Sequence, residues 1–531
     1  MNKIVLIPLD NRPCNTQFPL KIASIAGWEI LLPEHKFIGD LKIQGDRKSL
    51  EAWISNNHFN NLAGFVVSID MLGFGGLVFS RKSYEPVATI LSYLKILKRI
   101  KKYSLKLPIF TFNTIMRVSN SNDNTEEKEY WDKYGELIYN YSALYHKNKN
   151  LPLPLTPPAR GGEKEKKIKN IKQKIPPEIL EDYLKGRERN FKIHKTMIKW
   201  LNDNSIDFLV LNADDTSRYG LNVIEKQKLE KLRQKSLYKD HLMIYCGADE
   251  ISLLLISRLI NQYYNFTPSF YPVYSHKNGD KHFTMYEDCN LGETLKNQIK
   301  ASGGRIVSDE SSADCLLFIY TPYKQQGDLF LNKQMPDKPA LIPQHFIDKI
   351  KQALDSNKVV GLIDVAYANG ADNIFMSELS KQIPLCKLTA FSAWNTTANT
   401  IGTVISTCSA YLCSLMKNAS NSSSSSPTSP QPSPRAGEGE FEKDKGEGDK
   451  ARLEFLFERL VDDWLYQGHI RLEAKRQNLD FSIITKQLKK EAQQLLLNHF
   501  KDNNQIKTLQ TLNIFFPWNR LFEIGVGCTL E

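Results

Sequence analysis

DFLVLNADDTSRYG, residues 207–220, combines a strand pattern with a pair of adjacent carboxylates. Phe208–Leu211 is a short apolar run, which is typical of a buried strand. Asp214 and Asp215 follow it and lead into a polar turn. Carboxylates just beyond the carboxyl end of a buried strand lie where α/β folds place their chemistry. Both aspartates reach one site only if the strand has ended by Ala213, because consecutive strand residues point to opposite faces.

The two adjacent aspartates allow two interpretations. Like charges so close repel each other, so one carboxyl is expected to keep its proton near neutral pH. An acid would then stand beside a base, which predicts catalysis with Asp215 as the acid and Asp214 as its orienting partner. In the alternative, one aspartate caps the following helix and the other faces water.

The first half of the chain repeats a strand, a polar turn and a helix, which predicts a parallel sheet with crossover helices. The predicted strands are Ile4–Leu9, Trp28–Leu32, Gly64–Ile69, Leu107–Phe112, Asp207–Leu211 and His241–Cys246. Nearly every one is followed by a carboxylate, an asparagine or an arginine, and parallel strands bring these ends to one edge. Taken singly, such residues are more often turn formers or helix caps. Taken together, they provide the substrate-binding candidates Asp10, Asn11, Arg12, Asp70, Arg81, Arg117, Asp249 and Glu250.

A second α/β unit is predicted from Tyr271 onward by the same alternation. Its strands are expected at Tyr271–Ser275, Cys315–Tyr320, Val359–Ile363 and Leu388–Phe391. Two polar turns follow the last two strands and add the candidates Asp364, Asn369, Asp372, Trp394, Asn395 and Asn399. Trp394 is interpreted as a flat surface on which a sugar ring or a base can stack. Core packing is the alternative for this residue, because tryptophan is highly buried on average.

The fold class is therefore predicted to be α/β. Residues 1–265 are expected to form either a distorted (β/α) barrel-like unit or a doubly wound parallel sheet, with fewer strands than a closed barrel needs. Residues 266–417 are predicted to form a Rossmann-like lobe. Residues 418–450 are low in complexity and predict disorder, and residues 156–174 are interpreted as an insertion. Residues 451–531 are predicted to form a helical segment whose aromatic end packs back on the rest of the protein.

Composition limits the class of protein and its partners. The 531 residues are 41% hydrophobic and carry a formal net charge of +11, which is compatible with a globular protein. Lysine runs such as Lys164–Lys174 have no interleaved aromatics and no accompanying reader motif, so no nucleic-acid partner is expected. The 8 cysteines form no CxxC pair, which argues against a zinc ribbon or a disulfide framework. No apolar span of ~20 residues occurs, so we expect a cytoplasmic protein without a membrane partner.

Several motifs together resemble the family DUF4127 (domain of unknown function 4127), a group of uncharacterised, mainly bacterial proteins. The matching residues are Ile7–Pro13, Ser68–Leu72, Gly75–Leu77, Ser80-Arg81, Asp182-Tyr183, Arg187–Asn190, Asp214-Asp215, Tyr219-Gly220, Gly247–Glu250, Asp364–Asp372, Trp394–Thr396 with Asn399 and Gly402, and Pro517–Arg520. The sequence departs from the family pattern at Asn212 and Ala213 and in the two low-complexity stretches. The resemblance implies one integrated fold and no particular reaction.

Familiar catalytic motifs are absent from the sequence. There is no P-loop, no GxGxxG after a strand, no HExxH and no GxSxG. No cofactor is therefore expected, and the chemistry has to come mainly from carboxylates, asparagine and arginine.

Three functions remain open. The first is a glycoside hydrolase acting on a sugar with the Asp214–Asp215 pair, since glycosidases use two carboxyl groups. The second is a divalent-metal-dependent hydrolase or transferase of phosphorylated compounds. It would use carboxylates for the metal and arginines for phosphate, namely Asp10, Asp70, Asp214 and Asp249 with Arg12, Arg81 and Arg117. The third is a non-catalytic protein that binds a sugar or another small ligand. The oligomeric state is left open.

Overall fold

The computed structural model describes residues 1–56, 61–149, 163–330, 343–422, 446–500 and 508–531. Strands and helices alternate along nearly all of this chain, which confirms the α/β class. The strands are β1 (Lys3–Ile7), β2 (Glu29–Leu31), β3 (Leu62–Ser68), β4 (Ile109–Ile115), β5 (Phe208–Ala213), β6 (Leu242–Cys246), β7 (Ser269–Tyr274), β8 (Arg305–Ile306), β9 (Cys315–Tyr320), β10 (Gly327–Asp328), β11 (Val359–Asp364), β12 (Tyr367–Ala368), β13 (Ala390–Ser392), β14 (Leu509–Phe515) and β15 (Gly525–Leu530).

The α-helices surround the strands and vary in length from one turn to seven. They are α1 (Pro13–Ile25), α2 (His35–Ile38), α3 (Arg47–Asn56), α4 (Ile69–Phe74), α5 (Leu77–Lys82), α6 (Val87–Tyr103), α7 (Trp131–Lys149), α8 (Glu163–Lys172), α9 (Pro177–Asn202), α10 (Leu221–Arg233), α11 (Ile251–Tyr263), α12 (Leu291–Ala301), α13 (Gln344–Asp355), α14 (Asn373–Gln382), α15 (Thr397–Ser422), α16 (Glu447–Arg459), α17 (Arg471–Gln477) and α18 (Phe481–His499). A π-helix, Leu460–Ile470, joins α16 to α17 without a break.

The first sheet has the strand order β2-β1-β3-β4-β5-β6, and every neighbouring pair is parallel. No pairing between β2 and β6 closes it in the described residues. The sheet is therefore open and doubly wound, and the barrel-like alternative does not describe it. All six residues of β5 are buried, which explains why its sequence shows no polar alternation before the pair of aspartates.

The second sheet repeats this topology with the order β8-β7-β9-β11-β13, again all parallel. In both sheets the chain starts on an inner strand, adds one neighbour on one side and then continues on the other. This is the order of flavodoxin-like folds, in which ligands bind beyond the carboxyl ends of the strands where the order reverses. The short pair β10–β12 is also parallel, and β14–β15 is an antiparallel hairpin.

One hydrophobic core joins the two sheets. It extends from the inner face of the first sheet, including Val66 and Val210, to the inner face of the second, including Leu317. Helices α1, α11, α12 and α15 fill the space between them. The two sheets and their shared helices therefore pack as one body, which brings the loops at their carboxyl ends together.

Two segments that the sequence predicted as low-complexity or inserted are partly helical in the structure. Of residues 418–450, the ends belong to helices α15 and α16, and residues 423–445 lie outside the described residues. Of residues 156–174, Glu163–Lys172 is helix α8, and residues 156–162 lie outside the described residues. The C-terminal segment contains the β14–β15 hairpin in addition to the predicted helices. No helix in the described ranges has both the length and the apolar character needed to cross a membrane.

Candidate functional site

The two aspartates after β5 point into a group of arginines. The strand ends at Ala213, as the shared site required. Asp214 is 8% exposed and accepts a hydrogen bond from Arg81 Nη2. Asp215 accepts one from Arg117 Nη1 at 2.8 Å, and its side chain is 33% exposed. Asp214 is thus enclosed by protein, whereas Asp215 offers a carboxylate to solvent.

The electrostatic surroundings of Asp215 raise its pKa to about 6. Burial is the largest cause, and the neighbouring charge of Asp214 is the second. Arg117 and Arg81 act in the opposite direction and keep the shift moderate. A carboxyl group with a pKa near neutrality, beside a carboxylate held by an arginine, has the properties of a general acid.

The loops after β1 and β6 each contribute one carboxylate to a second pair, which shares the guanidinium of Arg12. Arg12 donates to Asp10 Oδ2 at 2.7 Å and to Asp249 Oδ1 at 2.5 Å. The side-chain amide of Asn15 donates to Asp10 at 2.9 Å and to Asp249 at 3.1 Å. The pKa of Asp249 is raised to about 6, mainly by burial, although Arg12 opposes the rise. Asn15 was not among the candidates, because its position inside α1 gives no sequence signal.

Glu126 connects three arginines that come from distant parts of the chain. Its carboxylate accepts from Arg81 at 3.1 Å and from Arg520 at 2.8 Å, and it lies 3.2 Å from Arg117. The three positive charges outweigh burial and hold the pKa of Glu126 well below its usual range. Its neighbour Glu127 accepts from Arg117 Nε at 2.8 Å. We call this arrangement the carboxylate–arginine cluster: Asp10, Arg12, Arg81, Arg117, Glu126, Glu127, Asp214, Asp215, Asp249 and Arg520.

The C-terminal segment covers one side of the cluster. The ring of Trp518 contacts two guanidinium groups, with its centroid 5.0 Å from that of Arg12 and 4.5 Å from that of Arg520. Its indole N–H donates to the Asn11 side chain at 2.7 Å. The two cation–π contacts and this hydrogen bond hold the ring beside the charged groups.

The second sheet supplies the opposite wall. Asn395, after β13, donates to Asp249 at 3.4 Å, and its carbonyl accepts from the Asn369 backbone N–H at 2.8 Å. The Asn369 side chain donates to Asp328, which also accepts from the Tyr286 hydroxyl at 2.6 Å. The Tyr286 carbonyl accepts in turn from the backbone of Thr216, next to Asp215, at 3.0 Å. A chain of hydrogen bonds therefore closes around the cluster from both sheets.

Helix α9 holds two arginine-bearing segments in place, the loop with Arg117 and the end of α5 with Arg81. Arg187 donates to the carbonyls of Met116 and Arg117 at 2.8 and 3.1 Å, and it forms an ion pair with Glu225. Arg189 donates to the carbonyl of Ser80, the residue before Arg81, at 2.7 Å. The motif Arg187–Asn190, noted for its family resemblance, thus positions Arg81 and Arg117.

Some of the candidate residues lie outside the cluster. Asp70 is 1% exposed, accepts from the Thr114 backbone at 2.8 Å, and has its pKa raised to about 6 by burial. Glu250 is equally buried, accepts from Gln298 at 2.7 Å, and has its pKa raised to about 7 by burial. Glu250 also leaves no space for a side chain at Gly402. Both carboxyl groups act within the packing and do not reach a substrate at the cluster.

The turn after β11 is likewise structural. Asp364 accepts from two backbone N–H groups, those of Ala366 and Asp372, and burial raises its pKa to about 8. Asp372 is the N-cap of α14, where its side chain accepts from Ile374 at 2.9 Å. Of the three candidates in this turn, only Asn369 contacts the wall of the cluster.

Trp394 packs in the core, so the stacking interpretation is wrong for this residue. It is 3% exposed, and its ring meets that of Phe18 edge-on with centroids 6.2 Å apart. Asn399 is 3% exposed in the first turn of α15 and is also enclosed. Trp518, in contrast, contacts two arginines of the cluster.

The four aspartates proposed as metal ligands do not form a common site. In the ranges that the structure describes, none of the groups of His, Cys, Asp or Glu close enough to share an ion contains Asp10, Asp70, Asp214 or Asp249. Elsewhere in the described part of the chain, Cys246, Asp288 and Cys289 form such a group. The carboxylates of the cluster are occupied by arginine and asparagine instead.

Glu126, Glu127, Tyr286 and Asp328 were missed by the sequence analysis. Glu126 and Glu127 lie in a charged loop, NDNTEEKEYWDK, that resembles an ordinary solvated surface. Trp518 and Arg520 lay within a motif noted for its resemblance, although nothing in the sequence placed that motif beside β1. Their roles depend on contacts between residues hundreds of positions apart.

Comparison with known proteins identifies one family. A family model described as "Protein of unknown function (DUF4127)" matches residues 4–527. No curated protein and no solved structure matched the chain. The matched range includes both sheets, the carboxylate–arginine cluster and the C-terminal segment that covers it.

Proposed function

We propose a function for this chain from the premise that it belongs to the DUF4127 family, as its motifs predicted. We infer that it is a carboxylate-based hydrolase that acts on a hydroxyl-rich small molecule of the sugar type. Asp215 would donate a proton to the leaving oxygen, and Asp214 would remain charged and orient the reacting group. The observation that supports this most is the partly buried Asp215 carboxyl, 33% exposed and with its pKa raised to about 6, beside an Asp214 held by Arg81.

The surroundings support a hydroxyl-rich substrate. The amides of Asn11 and Asn395 and the ring of Trp518 adjoin the charged groups. Amides and carboxylates exchange hydrogen bonds with hydroxyl groups, and an aromatic ring packs against the apolar face of a sugar. A reducing compartment such as the cytoplasm suits the chain, because all eight cysteines are free.

A second candidate is a phosphorylated substrate, and one observation favours it. Arg81, Arg117 and Arg520 converge on the single carboxylate of Glu126. A phosphate group that displaced Glu126 would meet three guanidinium groups, which suit its geometry. The metal ions of the earlier hypothesis have no ligand set at the cluster within the described residues.

The test is turnover of a panel of aryl glycosides, acetamido sugars included, and aryl phosphates, each with and without EDTA. We expect glycoside cleavage that survives EDTA and falls by at least about 100-fold in Asp215→Asn, the usual scale for loss of a general acid. Asp214→Asn should also be impaired, whereas Asp309→Asn, an exposed control, should not.

Other outcomes would change the assignment. Turnover of aryl phosphates alone would favour the second candidate. Binding of a sugar by both the wild type and Asp215→Asn without turnover by either would indicate a binding protein. Glycoside cleavage that Asp215→Asn retains would contradict the proposed acid.

A further inference from the structure

Two thiols and a carboxylate converge beside the last strand of the first sheet. Cys246 is the final residue of β6, and Asp288 and Cys289 lie in the loop that precedes α12. One ligand atom from each lies within 4.8 Å of the other two. The Cys246 thiol donates to Asp288 Oδ1 at 2.7 Å. The sequence analysis found no cysteine pair, because 43 positions separate Cys246 from Cys289.

We propose that Cys246, Asp288 and Cys289 bind one thiophilic divalent cation of the zinc type. Sulfur and carboxylate ligands lie about 2.3 and about 2.1 Å from zinc, so ligands of one ion are at most about 4.6 Å apart. The three ligand atoms already lie within 4.8 Å of one another, and Cys246 Sγ lies 2.7 Å from Asp288 Oδ1, so closing on an ion needs only small side-chain movements. Two thiolates select a soft ion over magnesium or calcium. Three protein ligands leave a fourth position for water.

A positive charge already occupies this set of acceptors. The ammonium group of Lys226, on α10, lies 2.7 and 3.0 Å from the two oxygens of Asp288 and 3.5 Å from the sulfur of Cys246. The same oxygen and sulfur atoms that hold this ammonium are those that would hold the ion. The lysine therefore competes with a metal ion, and it has to turn away when the ion binds.

The loop that carries two of the ligands is ordered by its own hydrogen bonds. Asn290 is the N-cap of α12 and accepts from the Glu293 backbone at 2.9 Å. The Leu291 N–H donates to the carbonyl of His282 at 2.8 Å. The sulfur of Cys289 lies 3.3 Å from the hydroxyl of Thr294. Because the backbone is already fixed, little conformational entropy is lost when the ligands close on an ion.

An ion here would connect the two sheets. Cys246 belongs to the first sheet, whereas Asp288 and Cys289 lie in the loop between β7 and α12 of the second. The same loop includes Tyr286, which contacts Thr216 beside Asp215. The metal site would thus fix one wall of the carboxylate–arginine cluster from outside it. This inference holds whether or not the proposed hydrolase activity is correct.

The test is metal binding by the full-length, reduced and metal-free protein. We expect one equivalent of Zn²⁺ to be retained in equilibrium dialysis, and Co²⁺ to give a sulfur-to-metal charge-transfer band in the near ultraviolet. Cys246→Ser, Asp288→Asn and Cys289→Ser should each weaken binding by at least about tenfold, since even partners of metal ligands are worth that much. Cys528→Ser, the matched control, should bind normally. Lys226→Met should bind more tightly than the wild type.

Several results would overturn the proposal. These are a protein that retains no zinc and gives no charge-transfer band, equal loss of binding in Cys528→Ser, or weaker binding in Lys226→Met. Circular dichroism of each variant separates lost ligands from lost folding, and the Asp288→Asn variant keeps nearly the same shape as the wild type. Thiol titration that finds Cys246 and Cys289 joined as a disulfide in the native protein would also contradict it.

Discussion

Asp215 acquires its properties from its neighbours. A lone aspartate on a surface has a pKa near 3.8, and burial together with Asp214 raises that of Asp215 to about 6. Glu126 shows the opposite case, because three arginines hold its pKa well below the usual range. The pKa values of two carboxyl groups in one cluster are thus shifted in opposite directions. Such shifts give a site both an acid and a fixed charge at one pH.

The first prediction concerns pH and Asp215. Because its folded pKa is raised, the folded chain binds this proton more tightly than the unfolded chain. Its contribution to stability is therefore complete below the unfolded pKa and is lost as pH rises through about 6. Thermal unfolding of Asp215→Asn and the wild type should show the variant gaining relative stability between about pH 4 and about pH 7.5. Asp309→Asn is the control. A stability difference between Asp215→Asn and the wild type that does not vary with pH would contradict the raised pKa of Asp215.

The second prediction concerns Glu126. Glu126→Gln should lower the free energy of unfolding by about 2 kcal/mol at neutral pH, the scale of a charged hydrogen bond. The contribution of this carboxylate is present above its unfolded pKa and is lost as pH falls through the lowered folded value. Urea unfolding should therefore separate the variant from the wild type at neutral pH and not in strong acid. Glu129→Gln, an exposed neighbour, should be unchanged, and equal effects of the two variants would be inconsistent with this role.

At the scale of elements, strand ends position the charged groups and one long helix braces them. The predicted strands all occur, with ends shifted by up to three residues. Strand β4, for example, continues to Ile115 and so presents the loop with Arg117 at the carboxyl edge. Helix α9 contacts that loop and the end of α5 through buried arginines. The polar residues of this helix, which the sequence marked only by family resemblance, therefore position the arginines of the cluster.

The third prediction tests this role of α9. Arg187→Lys keeps the charge but loses the planar fork that bonds two carbonyls and Glu225 together. We expect a loss of about 2–3 kcal/mol in the free energy of unfolding, together with lower turnover of any substrate found. Lys192→Ala changes an exposed ion pair on the same helix and should cost less than about 1 kcal/mol. A loss no larger in Arg187→Lys than in Lys192→Ala would show that α9 does not hold the loop.

At the scale of the whole molecule, the cluster exists only because three distant parts of the chain meet. The first sheet contributes most of the charges and the C-terminal segment contributes Arg520, while Asn395 of the second sheet and Trp518 contact the cluster from its sides. The shared core between the sheets sets the distance between these loops. The C-terminal segment then packs across the cluster and adds Arg520, the fourth guanidinium group beside its six carboxyl groups.

The fourth prediction measures the contact of the C-terminal segment. A double-mutant cycle of Trp518→Ala and Arg520→Ala should give a coupling energy of about 1 kcal/mol, because the guanidinium lies over the ring. A second cycle pairs Arg520→Ala with Tyr103→Ala, an aromatic residue that is 87% exposed on α6, and it should be additive. Coupling near zero in the first cycle would show that Trp518 and Arg520 do not interact in solution.

Most elements of the fold could be predicted from the local sequence, but the assignment of site residues could not. Apolar runs such as Phe208–Leu211 and the turn residues after them are local signals, and strand ends on one edge follow from parallel pairing. Trp394 and Trp518 show the limit of such signals. Trp394 is enclosed in the core, whereas Trp518 contacts two arginines of the cluster.

The sequence by itself determined the α/β class, the position of the strands, the family and the pair of aspartates after β5. It did so because hydrophobic periodicity and turn chemistry depend on neighbours within a few residues. Only the tertiary structure decided that the first sheet is open, that Asp70, Glu250, Asp364 and Asp372 serve the packing, and that Glu126 and Arg520 complete the cluster. These outcomes depend on burial and on Coulomb interactions between residues far apart in the chain, and both are fixed only when the two sheets pack together.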